Sequence, residues 1–290
     1  MMLTLEYRHV DVFSRRAFQG NGLVVVLDDI GLPADLMQAL TREMRQFETV
    51  FLTAVDLAAR SATLRIFTED EELDFAGHPV LGAAAVLHGM LGTRSAAQQW
   101  AMLLAGRTIA VRTAPGDSWI DAEMDQGVPH FGPIIERAQA VTYADALGLT
   151  EDQLHPELPV QVVSTGLDYL IVPLSAGLEQ ARIRVPDFEA LLERVGAKFV
   201  YVLDPLHPEG RTWDNAGRVE DVATGSAAGP AAAYLMRHRV VPDDQPIVLH
   251  QGQHVGRPSS IRVTPAPEGR LWVGGPVAPV AAGYFEATIA

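Results

Sequence analysis

Two stretches decide the fold: "RIFTEDEELDFAGHPVLGAAAVLHG" (residues 65–89) and "RVEDVATGSAAGPAAAYLMRH" (residues 218–238). Each sets an acidic, polar segment ahead of a Gly-His or Gly-Ser pair and follows it with an alanine-rich run. The echo extends upstream. "GNGLVVV" (20–26) and "GLDYLIV" (166–172) are both a glycine turn feeding a β run. Gly20 to Gly77 spans 57 residues and Gly166 to Gly225 spans 59. Two features recurring in order at nearly equal spacing point to a duplicated unit; the plainer alternative is two unrelated alanine-rich helices. Two similar halves meeting at a cleft would form a preferred kind of place for a small-molecule site.

The spacing predicts a helix over 80–91 that is apolar nearly all round, hence deeply buried, and a second alanine-rich helix over 226–239. In "AGHPVLG", Pro79 fits the first helical position, where its missing N–H costs nothing. In "ATGSAAGP", Thr224 and Ser226 are natural caps. Pro230 fits poorly in a helix that begins at Ser226, so that helix starts later or kinks. Further helices are expected over 33–44, 143–147 and 186–195. Strands are expected over 3–12, 23–27, 50–52, 62–67, 108–113 and 119–124, and then over 160–164, 169–173, 199–203, 213–215, 247–249, 259–263, 271–273 and 284–288. "DQGVPHFGP" (125–133) reads as a linker. Strands outnumber helices without the βαβ alternation of a doubly wound sheet, so the class is α+β.

Composition narrows the chemistry. Of the 290 residues, 48% are apolar and 20% charged, which suits a folded chain rather than a disordered one. No apolar run reaches the roughly 18–20 residues of a membrane span, and "MMLTLEYRHVDVFSRRAF" lacks the pattern of a signal peptide, so a cytoplasmic location without membrane attachment is expected. A formal charge of −14 repels phosphate backbones, which argues against a nucleic-acid partner. There is no cysteine, which excludes thiolate nucleophiles, disulfides and zinc–thiolate sites. Lys198 is the only lysine, leaving one candidate for a Schiff base. Dinucleotide, P-loop, HExxH and GxSxG motifs are all missing.

What remains is a set of proton carriers and two helix starts. Glu48, in "QFETVFL", enters an apolar run. A carboxylate there is either a strand-end surface residue or one whose burial raises its pKa toward that of a general base. His78 either caps its helix or serves the site, and Asp221 is either a solvated loop acid or a site acid; Glu220, Asp74 and Asp70 are weaker candidates. A helix N-terminus offers unpaired N–H groups and partial positive charge. Paired, the two suit a carboxylate and the enolate-like charge that develops in proton transfer.

Together these residues resemble the PhzF family of phenazine-biosynthesis isomerases, which share the diaminopimelate epimerase fold. The similarity runs in order through "DVFSRRAFQGNGLVVVL", "LMQALTREMRQFETVFL", "LRIFTEDEELDFAGHPVLGAA", "VVSTGLDYLIVPL", "VEDVATGSAAGPAAAYL" and "QGQHVGRPSSIRV", from Asp11 to Val263. The resemblance implies two pseudo-symmetric halves, each a curved, barrel-like mixed or antiparallel sheet around a central helix. One half spans 1–127, with a returning C-terminal strand over 280–290, and the other spans 128–279, with the site between them. It implies an enzyme that works without cofactor or metal, often as a homodimer. Its reaction moves a proton and a double bond in a small unsaturated carboxylic acid, as in secondary-metabolite biosynthesis. Glu48, His78 and Asp221 take the catalytic places; Gly77, Gly225 and Ser226 take the substrate-binding ones. Racemase, epimerase, cyclase and non-catalytic metabolite binder stay open as alternatives, although related epimerases use paired thiols that this chain lacks. Three positions depart from the family motifs: Phe47 gives "FET" where "SET" is common, Gly22 gives "GNG" for "GNP", and Val222 gives "EDVATGS" for "EDPATGS".

Overall fold

The computed structural model describes residues 2–92 and 96–288, which divide into two compact units: the described residues up to 125 together with 274–288, and residues 126–273.

Unit 1 contains β1 (Met2–Val12), β2 (Asn21–Leu27), α1 (Ala34–Met44), β3 (Glu48–Asp56), β4 (Ser61–Phe67), β5 (Glu72–Leu73), α2 (Gly77–Met90), β6 (Gln98–Leu104), β7 (Arg107–Pro115) and β8 (Ile120–Gly127). Unit 2 contains β9 (His130–Ile134), α3 (Arg137–Ala146), β10 (Gln161–Ser164), β11 (Asp168–Pro173), α4 (Phe188–Glu193), β12 (Phe199–Asp204), β13 (Glu209–Arg211), α5 (Gly225–Arg237), β14 (Ile247–Gln251) and β15 (Ser259–Pro265). It passes the chain back through β16 (Leu271–Thr288). In unit 1 the order β1-β2-β3-β4-β6-β7-β8-β16 closes into a barrel through antiparallel pairing of β16 with β1. The strand expected over 280–290 is the far part of β16; residues 289–290 lie outside the described residues.

The duplication is visible strand by strand. β1–β2 and β10–β11 are antiparallel, β2–β3 and β11–β12 parallel, and β3–β4 and β12–β13 antiparallel. β4–β6 and β13–β14 are again parallel, and β6–β7 and β14–β15 antiparallel. α2 and α5 occupy the same place in this sequence of pairings.

Burial explains the sequence patterns. "LVVVL" in β2 does not alternate because both of its faces are covered. Val24 and Val26 join Met37 and Leu40 of α1 and Phe51 and Phe67 on the outside, whereas Leu23 meets α2 on the inside. A Cβ at Gly82 of α2 would lie 2.3 Å from Leu23 Cδ2, so the small residue sets how closely helix and sheet approach. α2 is buried continuously from Gly77 to His88. The His88 ring is accommodated by Thr113 Oγ1 at 2.7 Å, which also accepts a hydrogen bond from Trp100 Nε1 at 2.9 Å. In unit 2, Leu170 and Val172 face the outer core with Tyr143, Phe188 and Leu192 of α3 and α4.

Several expectations need correction. α2 begins at Gly77, so Pro79 is its third residue; that position still lacks an i−4 acceptor, and proline is tolerated. α5 runs from Gly225 to Arg237 with Pro230 inside it. Residues 125–133 are the end of β8, a short turn and β9, whose Gly132 and Pro133 read as punctuation. β9 is last in the strand order, where proline is admissible. β6 was not expected, and the strand expected over 213–215 is only an isolated bridge between Trp213 and Glu220.

Candidate active site

Glu48 is the first residue of β3, opposite Leu23 across the parallel pair with β2. Strand alternation puts it on the face of Val50, the face turned toward α2 rather than toward Phe51 and α1. There it meets His78, the second residue of α2, with Nε2 and Oε2 3.3 Å apart and side chains 8% and 17% exposed. The His78 Nε2 contact is close but not aligned as a hydrogen bond, a common resting geometry for catalytic groups before substrate tightens them. Burial pushes the His78 imidazole down to about 3, so it is neutral at neutral pH. The residue before the helix is Ala76, whose side chain cannot cap, and no acidic residue lies in the first turn. The first turn therefore keeps its positive end without an internal counter-charge. Phe47 is 45% exposed, so it is not packed as an apolar wall.

Unit 2 gathers a second cluster. Thr224 occupies the position before α5, but its side chain does not cap the helix; its hydroxyl donates to Asp221 Oδ2 at 2.5 Å. Ser226 is not a cap either: its hydroxyl lies 2.7 Å from the Tyr169 hydroxyl, and burial pushes the Tyr169 phenol well above its usual range. Gln126 Nε2 donates to the Gly225 carbonyl at 2.8 Å. Glu220 is taken up by Arg211 through two hydrogen bonds of 2.9 and 2.6 Å. Asp70 and Asp74 are exposed.

Unit 1 thus brings Gly77, His78 and Glu48 together, and unit 2 brings Asp221, Gly225 and Ser226 together. Sequence reading missed Tyr169 and Gln251; Gln251 carried no signal beyond its place in "QGQHVG". Among the described residues no group of three or more His, Asp or Glu could hold a metal ion, and no helix is long and apolar enough to cross a membrane.

Residues 10–282 match the family described as phenazine biosynthesis-like protein, PhzC-PhzF. The chain is 33% identical over 267 residues to an uncharacterized isomerase, YddE, of Escherichia coli K12, covering 88% of each. It is 32% identical over 263 residues to the trans-2,3-dihydro-3-hydroxyanthranilate isomerase of Pseudomonas fluorescens, covering 87% of each. Among solved structures, a protein of Pseudomonas aeruginosa described as a predicted epimerase superposes with a TM-score of 0.89 at 46% identity, over 98% of this chain and 99% of that one. The α+β fold is the epimerase-like one that the sequence resemblance implies.

Proposed function

The chain is an isomerase of the phenazine biosynthesis-like protein family, and we propose that it shifts a proton, and with it a double bond, within a small unsaturated carboxylic acid of secondary metabolism. Glu48 is the base. Its carboxylate takes the proton as the substrate C–H bond breaks, the electron pair delocalises through the conjugated system, and the proton returns to carbon at the far end. The observation that carries this reading is the 3.3 Å approach of His78 to Glu48 beside the start of α2. A neutral imidazole can hydrogen-bond the carboxylate without trapping it as an ion pair. N–H groups at Gly77, and at Gly225 and Ser226, are proposed to hold the substrate carboxylate or the charge that develops on it. Asp221 is proposed to hold a polar group of the substrate.

The test is turnover in D₂O with trans-2,3-dihydro-3-hydroxyanthranilate, the substrate named for a relative, followed by a panel of small unsaturated acids. Wild-type protein moves the double bond, and incorporates deuterium at the far carbon to the extent that the protonated Glu48 exchanges with solvent before it returns the proton. Glu48→Gln lowers the rate about 10²–10⁴-fold, the usual contribution of a positioned base. Full activity in that variant overturns the assignment.

The solved relative described as a predicted epimerase favours a second reading, inversion at a stereocentre. Deuterium at that centre with loss of optical activity distinguishes it. Two-base inversion needs two acid–base groups, and the position in unit 2 that corresponds to Glu48 is Phe199. That favours one base moving the proton along a conjugated system.

A further inference from the structure

β14 ends on Gln251, an amide that is 1% exposed and engaged at both ends. Its Nε2 donates to the Asp221 carbonyl at 2.9 Å and to the Thr224 hydroxyl at 2.9 Å. Its Oε1 accepts from the Thr224 main-chain N–H at 3.2 Å and from the Tyr201 hydroxyl at 3.4 Å. Main-chain groups fix which end is which, because an amide N–H can only donate and a carbonyl can only accept. Burial pushes the Tyr201 phenol far up, so it stays protonated and donates.

This polarity propagates. Thr224 Oγ1 receives a hydrogen from Gln251, so its own hydrogen is directed to Asp221 Oδ2 at 2.5 Å. The Ala223 N–H donates to Asp221 Oδ1 at 3.3 Å. The next residue, Gly252, has φ +82°, and a Cβ there would lie 2.5 Å from the Val222 carbonyl oxygen and 2.3 Å from that of Arg257. Only glycine lets this strand end press against the loop carrying Asp221. From the other side, the Asp221 N–H donates to the Thr212 carbonyl at 3.0 Å.

We propose that Gln251, acting through Thr224, is a positioning residue that fixes the Asp221 carboxylate as an oriented hydrogen-bond acceptor ahead of α5. The inference rests on the reading above, in which Asp221 holds substrate. The ionisable neighbours of this loop include Tyr169 and Tyr201, which feel the Asp221 charge, Glu209 beside Tyr201, and the Arg211–Glu220 pair. Of these, Tyr201 touches Gln251 at Oε1, on the side away from Thr224 Oγ1 and the Asp221 carboxylate.

The test is the carboxyl ¹³C titration of Asp221 in the full, ligand-free chain. Thr224→Val removes the hydroxyl donor. Gln251→Met keeps the length of the side chain without adding a charge, and removes the N–H that orients Thr224. Each variant is expected to raise the Asp221 midpoint by about one pH unit, the scale of a lost hydrogen bond to a carboxylate. Thr224→Ser retains the wild-type midpoint, and the double variant titrates like Thr224→Val alone. Wild-type midpoints in both single variants, with thermal unfolding unchanged, overturn the proposal. Turnover of Asp221→Asn separates the two ideas. If that variant keeps full activity, the role of Asp221 fails; if it loses activity while the midpoints stay fixed, only the role of Gln251 fails.

Discussion

Arg65 in unit 1 lies opposite Phe51 across β4–β3, and Arg211 in unit 2 lies opposite Val202 across β13–β12, at matching points of the two duplicated sheets. Each guanidinium grips a glutamate with two hydrogen bonds, Glu72 in one case and Glu220 in the other. Each also lies over an aromatic ring two residues on, Phe67 or Trp213. Both glutamates stand five residues before the glycine that starts the buried helix. The chemistry is the same but the surroundings differ: side-chain exposures are 31% and 41% in unit 1 and 4% and 10% in unit 2. The helix starts differ in the opposite sense. Unit 1 has Leu23 and Glu48 where unit 2 has Tyr169 and Phe199, and it has His78 where unit 2 has Ser226. The half with the loosely braced ionisable pair is proposed to move the proton. The half that buries its Arg–Glu clamp, ties the loop after it with Gln251 and braces the first turn of α5 with Tyr169, is proposed to hold the substrate still.

The clamps provide the largest test of this division. Glu220→Ala leaves the Arg211 guanidinium buried with the main-chain carbonyl of Leu178 as an acceptor and no carboxylate to pair with. Chemical denaturation should show a loss of about 3–5 kcal/mol, the cost of breaking a buried pair. Glu72→Ala, which removes the same contact in a solvated setting, should cost less than about 1 kcal/mol. Equal losses would mean that burial does not distinguish the two clamps and that the asymmetry is only apparent.

The second test concerns the proton-moving end. Folded His78 gains a proton only near pH 3, and the unfolded residue near 6.5. Between those values the unfolded chain holds the extra proton, so stability falls as pH falls below about 6.5, by at most about 1.4 kcal/mol per unit from this group. His78→Gln should flatten that part of the stability profile relative to wild type. Equal slopes would mean that burial does not lower the proton affinity of His78 in the folded chain, and the support this gives to a neutral imidazole would fall with it.

Much of this architecture was legible in the sequence because burial on two faces leaves a strong trace. "LVVVL" and "YLIV" are continuous apolar runs, and "VLGAAAVLHG" is a helix with no polar side. Residues that depend on pairing for their role left none. β6 alternates at Trp100, Met102 and Leu104, but its alanine, methionine and leucines also favour helix; pairing with β4 and β7 decides the matter. Glu48 and His78 each stood out by residue type, yet their contact depends on the register that sets Glu48 beside Leu23. Gln251 is one amide at a strand end, and only the folded chain brings Asp221, Thr224 and Tyr201 to it.

The smallest predicted effect concerns how the holding end is braced. Tyr169 corresponds to Leu23, so the hydroxyl that meets Ser226 is an addition peculiar to unit 2. Tyr169→Phe keeps the ring, its tilted contact with Phe199 and nearly all of the packing, and removes a single hydrogen bond. A loss of about 0.5–1.5 kcal/mol is expected on denaturation, with faster amide exchange confined to the first turn of α5. Ser226→Ala should cost about as much. The double variant should cost clearly less than the two together, because both single changes remove the same bond. If the costs simply add, the two hydroxyls act independently. Tyr169 would then be a core aromatic like its counterpart Leu23, and the brace on α5 would rest on Gln126 and the Asp221 loop alone.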